Sequence, residues 1–248
     1  MIEIRGLTKK YNKLTALDGI DLDIGKGEII GLLGENGAGK TTLMKCMLNL
    51  TDFSGSILLD GEPVTRKNIS RMSFATTEKS FFAGLTAAEH RDFYRMNFGT
   101  FREKRFDGLL DFFELPKNRP IRTLSMGQQN QFEVIAALSQ GAEYILMDEP
   151  FAGNDVFNRE DFYKVLMGIL EPDETIILST HLIEEISGFV GRAVLIHKGK
   201  IIGDSTADDL DSRGLSLMDY VKQKYGYRED RVARALSDIT GEAEGDEN

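Results

Sequence analysis

Alternating apolar and polar positions predict strands in the N-terminal part of the chain. Ile2 to Leu7 and Leu17 to Ile24 both alternate in this way, as half-buried strands do. The nearly continuous apolar run from Glu28 to Gly34 is typical of a central strand that is buried on both faces. Ser56 to Gly61 predicts a further strand that ends in a turn.

Helical spacing of apolar residues follows the buried strand and dominates the middle of the chain. It predicts a helix from Thr41 to Leu50 and a mostly helical lobe around Ala87 to Phe113. Strands return at Tyr144 to Met147 and Thr175 to Ser179, with a helix between them. A closing hairpin is predicted near Lys200. Strands alternating with helices predict an α/β sheet layered by helices.

Composition and charge narrow the possible functions. The 248-residue chain has a formal net charge of −10, which argues against nucleic acid as a partner. Cys46 is the only cysteine, so neither an internal disulfide nor a multi-thiolate metal site can form. No stretch approaches the ~20 apolar residues that span a bilayer, and the N-terminus lacks a signal-peptide pattern. We therefore expect a soluble cytoplasmic protein.

A P-loop pattern, GxxxxGKT, lies between the buried strand and the following helix. Glycines let the backbone amides surround phosphate oxygens, and the helix adds its positive N-terminal end. Lys40 is predicted to neutralise the β- and γ-phosphates, and the Thr41 hydroxyl to ligate Mg²⁺. A glycine-rich turn without a ligand is the less favoured alternative. The predicted phosphate-binding residues are Gly34, Asn36, Gly37, Ala38, Gly39, Lys40, Thr41 and Thr42.

Two carboxylates, Asp148 and Glu149, follow the apolar strand that begins at Tyr144. In P-loop ATPases an Asp in this position helps to hold Mg²⁺, which we assign to Asp148. Glu149 would stand beside the γ-phosphate, where it could orient or deprotonate the attacking water. Acidic residues often follow strands where loops begin, so the assignment depends on the P-loop.

The segment Leu124 to Gln129 precedes a predicted helix and can be interpreted in two ways. Ser125 can cap the helix N-terminus, which is a common use of serine. The same geometry can bind an anion, so the two interpretations are compatible.

The order of these motifs resembles that of the nucleotide-binding subunit of ABC transporters, from Met1 to about Ile202. LSMGQQ resembles the family motif LSGGQ, with Met126 in place of one glycine. The resemblance implies that Ser125, Gly127 and Gln128 contact the γ-phosphate of ATP held by the opposite subunit.

Three further positions take roles from this resemblance. Tyr11 matches the aromatic residue that stacks on adenine, and His181 matches the switch histidine that touches the γ-phosphate. The segment Phe151 to Asp155 resembles the loop after the catalytic Glu, with Asn154 replacing Leu and Asp155 retained.

One position departs from the family pattern. Where the family carries a Gln that reaches Mg²⁺ and water, this chain has Thr77 with Glu78 beside it. We favour Thr77 as the metal-associated residue, because another carboxylate would add repulsion beside Asp148 and Glu149. The aromatic residues in the following segment, Phe81 to Thr86, can either pack within the helical lobe or face a partner.

The resemblance also implies an architecture: a P-loop (RecA-like) α/β ATPase core with an antiparallel β subdomain and a helical subdomain. The core and β subdomain are assigned to residues 1–72 and 141–205, and the helical subdomain to residues 73–140. Residues 206–248 are expected to form a C-terminal helical segment and an acidic tail. Two copies, or one copy and a similar subunit, are expected to close head-to-tail around two ATP molecules with Mg²⁺.

The expected function is the ATP-binding and ATP-hydrolysing subunit of an ABC transporter, resembling single-cassette exporter subunits. Its partner would be a separate membrane-spanning permease, so it would lie peripherally on the inner face of the cell membrane. A soluble ABC ATPase outside transport, such as the iron–sulfur assembly type, is the alternative. Chromosome and repair types carry a long coiled-coil insertion, which is missing between the P-loop and LSMGQQ. A P-loop kinase would have no use for LSMGQQ or His181.

Overall fold

A computed structural model describes residues 1–150 and 156–227. Within these residues the strands form two sheets. The smaller sheet is antiparallel, in the order β2-β1-β4-β5, and the larger has the order β10-β9-β3-β8-β7-β6. The strands are β1 (Ile2–Tyr11), β2 (Leu14–Ile24), β3 (Ile29–Leu33), β4 (Ser54–Leu59), β5 (Glu62–Pro63), β6 (Met72–Ala75), β7 (Tyr144–Asp148), β8 (Thr175–Thr180), β9 (Arg192–His197) and β10 (Lys200–Thr206).

The helices cover the large sheet and form the predicted helical lobe. They are α1 (Lys40–Met47), α2 (Ala87–Asn97), α3 (Glu103–Phe112), α4 (Met126–Ser139), α5 (Val156–Ile169), α6 (Ile183–Ile186), α7 (Ala207–Ser212) and α8 (Leu217–Tyr225). The helical pattern from Ala87 to Phe113 resolves into two helices, and a Thr86–Glu89 capping box fixes where α2 begins. In the described part of the chain no helix is both long enough and apolar enough to cross a bilayer.

Apolar side chains are buried on both faces of the large sheet, as predicted for its central strand. All five residues of β3 are buried. Leu32, Leu146 and Ile177 pack towards α1 and the small sheet. Ile145 and Leu178 belong to the cluster on the other face, which includes residues of the helical lobe. These two clusters hold the strand ends in place.

Two expected boundaries can be compared with the described residues. The helical subdomain is expected to begin at residue 73, but β6 extends to Ala75 and pairs with β7, so residues 73–75 lie in the large sheet. α7 and α8 lie within the expected C-terminal helical segment. The expected acidic tail, at residues 241–248, lies outside the described residues.

Candidate active site

Parallel pairing brings the predicted site residues to one edge of the large sheet. β3 pairs in parallel with β8, and β8 pairs in parallel with β7. The carboxyl ends of these three strands therefore meet. There the P-loop leaves β3, Asp148 ends β7, and His181 follows β8.

The backbone of the P-loop requires glycine at two positions. Gly39 has φ 117°, and a Cβ placed there would lie 2.8 Å from the carbonyl oxygen of Ala16. A Cβ on Gly34 would lie 2.3 Å from the carbonyl oxygen of Ile196. Gly39 also occupies the N-cap of α1, where no side chain caps the first amides. The start of α1 is thus left available to an anion.

Lys40 places a buried ammonium group at the centre of this edge. Its side chain is 6% exposed, and Nζ donates hydrogen bonds to the carbonyl oxygens of Gly34 at 2.6 Å and Glu35 at 3.3 Å. Nζ also lies 3.5 Å from Oε1 of Glu149. A single cation therefore links the P-loop to the carboxylate that follows β7.

Asp148 is held by two hydroxyl groups. The Thr41 hydroxyl donates to Oδ2 at 2.6 Å, and the Ser179 hydroxyl donates to Oδ1 at 2.5 Å. Asp148 itself is buried, with 5% of its surface exposed. A hydroxyl and a carboxylate oxygen in contact are hard oxygen ligands of the kind that Mg²⁺ prefers, so the donor set fits that ion. Sequence reasoning missed Ser179, which belongs to the neighbouring strand.

Glu149 and His181 form a pair beside Lys40. Glu149 has φ 47°, and its amide donates to the carbonyl oxygen of Ser179 at 3.1 Å. Nδ1 of His181 lies 3.0 Å from each carboxylate oxygen of Glu149. Positive φ is uncommon outside glycine, and such strain concentrates at functional sites.

A cavity of about 500 Å³ opens beside Lys40 and Glu149, whereas Gly34 and His181 line a neighbouring cavity. The lining of the first cavity includes the predicted phosphate-binding residues from Asn36 to Thr42 together with Tyr11 and Glu149. Tyr11 is 43% exposed, and Nζ of the buried Lys9 lies 4.6 Å from its ring centroid. An exposed aromatic face at the cavity edge can stack on a planar ring.

Sequence reasoning missed residues of the β9–β10 turn and of β2. Lys198 and Gly199 line the cavity, and so do Leu14, Thr15 and Ala16 of β2. The amide of Gly199 donates to the carbonyl oxygen of Ala38 at 2.9 Å, which joins this turn to the P-loop. The sequence predicts a hairpin turn at Lys198 and Gly199, but it does not predict that this turn lies next to the P-loop.

The LSMGQQ motif lies outside this cavity. Ser125 is the N-cap of α4, as predicted, and its hydroxyl accepts from the amide of Gln128 at 3.2 Å. Neither Ser125, Gly127 nor Gln128 lines the cavity, and Met126 is 72% exposed. The expected nucleotide contact at Asp155 lies outside the described residues.

The two candidates for the position of the family's Gln have different surroundings. Thr77 lines a narrow space together with Asp148 and Glu149. Glu78 is 65% exposed, and its Oε1 accepts from Nζ of Lys45 on α1 at 2.6 Å. Thr77 therefore lies beside the two carboxylates, whereas Glu78 is engaged by α1.

Comparison with known proteins identifies the class of this fold and site. The family model described as ABC transporter matches residues 17–152, more than half of the chain. The chain therefore belongs to the ABC transporter family, and its fold is that of an ATP-binding cassette.

Individual relatives extend the similarity over most of the chain. It is 32% identical over 231 residues to the uncharacterized ABC transporter ATP-binding protein R00382 of Rhizobium meliloti (strain 1021), covering 87% of this chain and 85% of that protein. It is 30% identical over 220 residues to Nod factor export ATP-binding protein I of Ralstonia nicotianae (strain ATCC BAA-1114 / GMI1000), covering 85% and 68%. The fold resembles the dimeric structure of MJ0796, a bacterial ABC transporter cassette, with a TM-score of 0.73 at 23% identity, covering 84% and 99%.

Proposed function

We propose that this chain binds ATP with Mg²⁺, hydrolyses it, and thereby drives a separate membrane-spanning permease. The observation that carries the proposal is the arrangement at one sheet edge. The P-loop, Asp148, Glu149 and His181 converge there beside a cavity of about 500 Å³. That combination places a phosphate-binding loop against a carboxylate able to activate water.

ATP binding follows from the charges and donors of the P-loop. The amides at the start of α1 and the ammonium of Lys40 would hold the phosphates, and Tyr11 would stack on adenine. Thr41 and Asp148 would hold Mg²⁺, which when bound neutralises developing charge on the phosphate oxygens. Thr77 supplies a further oxygen in the same region.

Glu149 is the proposed general base. Its carboxylate can accept a proton from the attacking water, while His181 and Lys40 hold it at the cavity edge. The ammonium of Lys40 also offsets the negative charge of Glu149 before nucleotide enters. The γ-phosphate would then replace the carboxylate as the partner of Lys40, which releases Glu149 towards the water.

A second cassette would give the LSMGQQ motif a nucleotide to contact, since Ser125, Gly127 and Gln128 do not line the cavity of their own chain. We propose that they contact ATP held by the partner cassette, a second copy or a similar subunit. A head-to-tail dimer would then enclose two ATP molecules, and hydrolysis would open it.

For the wider role we propose export across the cell membrane, with the chain on its inner face. The similarity to Nod factor export ATP-binding protein I supports this direction. A soluble ABC ATPase of the iron–sulfur assembly type is the second candidate, since the site would serve either role.

The test first looks for a gene for a polytopic membrane protein beside the gene for this chain. The purified chain is then assayed with and without that membrane protein, reconstituted in lipid vesicles. Transport coupling predicts ATP hydrolysis by the chain that rises when the membrane protein is present. The Lys40→Ala variant is the control for contaminating activity. Unchanged hydrolysis, with no association between the two proteins, would favour the soluble alternative.

A further inference from the structure

Glu133 is a buried carboxylate that the proposed mechanism does not use. It lies in the middle of α4 and is only 3% exposed. Burial raises its pKa, and no basic side chain among the described residues acts against that shift. A buried carboxylate is costly unless hydrogen-bond donors surround it, so its donors indicate what it does.

Those donors come from the loop that follows β6. Both the backbone amide and the hydroxyl of Ser80 donate to the Glu133 carboxylate, the hydroxyl at 2.7 Å. One side chain of α4 thus holds, by two hydrogen bonds, a residue of a loop that is distant in sequence. Multiple donors to one carboxylate form a stronger connection than a single neutral hydrogen bond.

A second connection holds the same loop to α2. The Phe82 amide donates to Nε2 of His90 at 3.1 Å, and Nδ1–H of His90 donates to the carbonyl oxygen of Thr86 at 2.8 Å. This pattern requires the neutral imidazole, and burial lowers the pKa of His90 in keeping with it. The ring of Phe82 stacks on His90 with centroids 6.0 Å apart.

The loop fixed in this way also carries Thr77. Thr77 and Glu133 line the same narrow space, together with Asp148 and Glu149. Since only about 10 Å of extended chain separates Thr77 from Ser80, fixing Ser80 restricts where Thr77 can lie. The hydrogen bonds between Glu133 and Ser80 therefore help to keep Thr77 beside Asp148 and Glu149.

We propose that Glu133 is a positioning residue for ATP hydrolysis, which holds Ser80 so that Thr77 stays beside Asp148 and Glu149. The inference rests on the proposed function, because it assigns Glu133 a role in that same hydrolytic site. It differs from a purely structural role in its prediction that Glu133 and Thr77 act as one unit.

The test compares Glu133→Ala, Thr77→Ala and the double variant in steady-state ATP hydrolysis. Each single variant should lower kcat about tenfold, with KM and ATP affinity close to the parent values, because the phosphate-binding residues are untouched. The double variant should be no slower than Glu133→Ala alone, since Thr77 is already displaced.

Glu174→Gln is the matched control. Glu174 is also a buried carboxylate, 2% exposed, but it pairs with Arg105 at 2.8 Å away from the site. This control should lower Tm without changing kcat. If Glu133→Ala does not fold, Glu133→Gln takes its place. The Gln side chain keeps one oxygen that can accept a hydrogen bond, but its NH₂ group cannot accept from the second donor of Ser80.

Three results would overturn the inference. They are a folded Glu133 variant with the parent kcat, a loss at Glu133 with none at Thr77, and a double variant whose loss is the product of the single losses. In each of these the parent still hydrolyses ATP, so the proposed function survives. A folded parent without ATP hydrolysis would refute the proposed function and this inference together.

Discussion

At the carboxyl ends of β3, β7 and β8 the backbone itself fixes the functional groups, whereas Thr77 lies on a loop that side chains hold. Lys40, Asp148 and Glu149 each sit at or next to the end of a regular element. The loop after β6 instead depends on contacts from Glu133 and His90. Changes at the strand ends should therefore remove function, and changes at the loop should modulate it.

The largest effect is expected from Lys40→Ala, which removes the buried ammonium of the strand-end region. ATP affinity should fall by at least about 100-fold, because the phosphates lose a charge-assisted partner in a closely fitted loop. Binding of a fluorescent ATP analogue measures the change. Lys45→Ala is the matched control, since Lys45 lies on the same helix but pairs with Glu78 outside the cavity. Equal affinity in the parent and Lys40→Ala would contradict the P-loop assignment.

Glu149→Gln should slow hydrolysis by about 100-fold or more while ATP still binds. An amide cannot accept the proton of the attacking water. It also ends the ion pair with Lys40, so ATP affinity should be equal or higher. Single-turnover hydrolysis and equilibrium binding separate the two effects. Glu184→Gln, an exposed change on α6, is the control and should leave the hydrolysis rate and the ATP affinity unchanged. Hydrolysis by Glu149→Gln at the parent rate would show that Glu149 is not the base.

Thr77→Ala should have a smaller effect, about tenfold on hydrolysis, or about 1.4 kcal/mol in activation free energy. Glu78→Ala should leave the rate unchanged, because it removes only an exposed ion pair worth at most about 1 kcal/mol. Hydrolysis measured across a Mg²⁺ titration distinguishes them. The reverse ranking, with a shifted Mg²⁺ dependence for Glu78→Ala, would show that Glu78 reaches the metal.

The smallest effect on activity is expected at the opposite ends of the strands. Arg71, just before β6, donates to both carboxylate oxygens of Glu143 at 2.5 and 2.7 Å and so lowers the pKa of Glu143 to about 2. A carboxyl group whose pKa is lower in the folded protein stabilises the fold at pH values above its pKa in the unfolded chain. This contribution disappears as the pH falls towards 2.

Arg71→Ala should therefore lower the free energy of unfolding by about 1–2 kcal/mol at pH 7 and by less at pH 3. Urea denaturation at the two pH values measures this difference. ATP hydrolysis at pH 7 should stay at the parent rate. If Arg71→Ala lost hydrolysis without losing stability, the contrast between the carboxyl ends of the strands, which carry the site, and their opposite ends, which only stabilise the fold, would be wrong.

The same contrast explains which features could be predicted from the sequence. The P-loop and the carboxylates after β7 follow from local spacing, and parallel pairing then brings them together. Ser179 and Lys198 could not be placed, because their roles depend on neighbouring strands and turns. The role of Glu133 could not be predicted from the sequence, since its partner Ser80 lies 53 residues away.

The break between α2 and α3 also escaped prediction. Apolar residues keep their helical spacing through residues 98–102, although the chain there is not helical. Phe98 and Phe101 still pack against the core cluster, so the pattern reports burial rather than helix. Tertiary packing can maintain an apolar spacing across a break in local structure.

We propose above that Ser125 to Gln128 of one cassette complete the ATP site of another. The most direct measurement is size-exclusion chromatography of Glu149→Gln with ATP, alone and combined with Gly127→Asp. The single variant should become a dimer, because unhydrolysed ATP bridges two copies. The double variant should bind ATP yet remain a monomer, since the new carboxylate repels the partner's γ-phosphate.

Gly108→Asp, combined with Glu149→Gln in the same way, is the matched control. Gly108 lies on α3 with open space around it, so this variant should still dimerise. A Glu149→Gln chain that stays monomeric with ATP bound, or a double variant that dimerises equally well, would contradict the account.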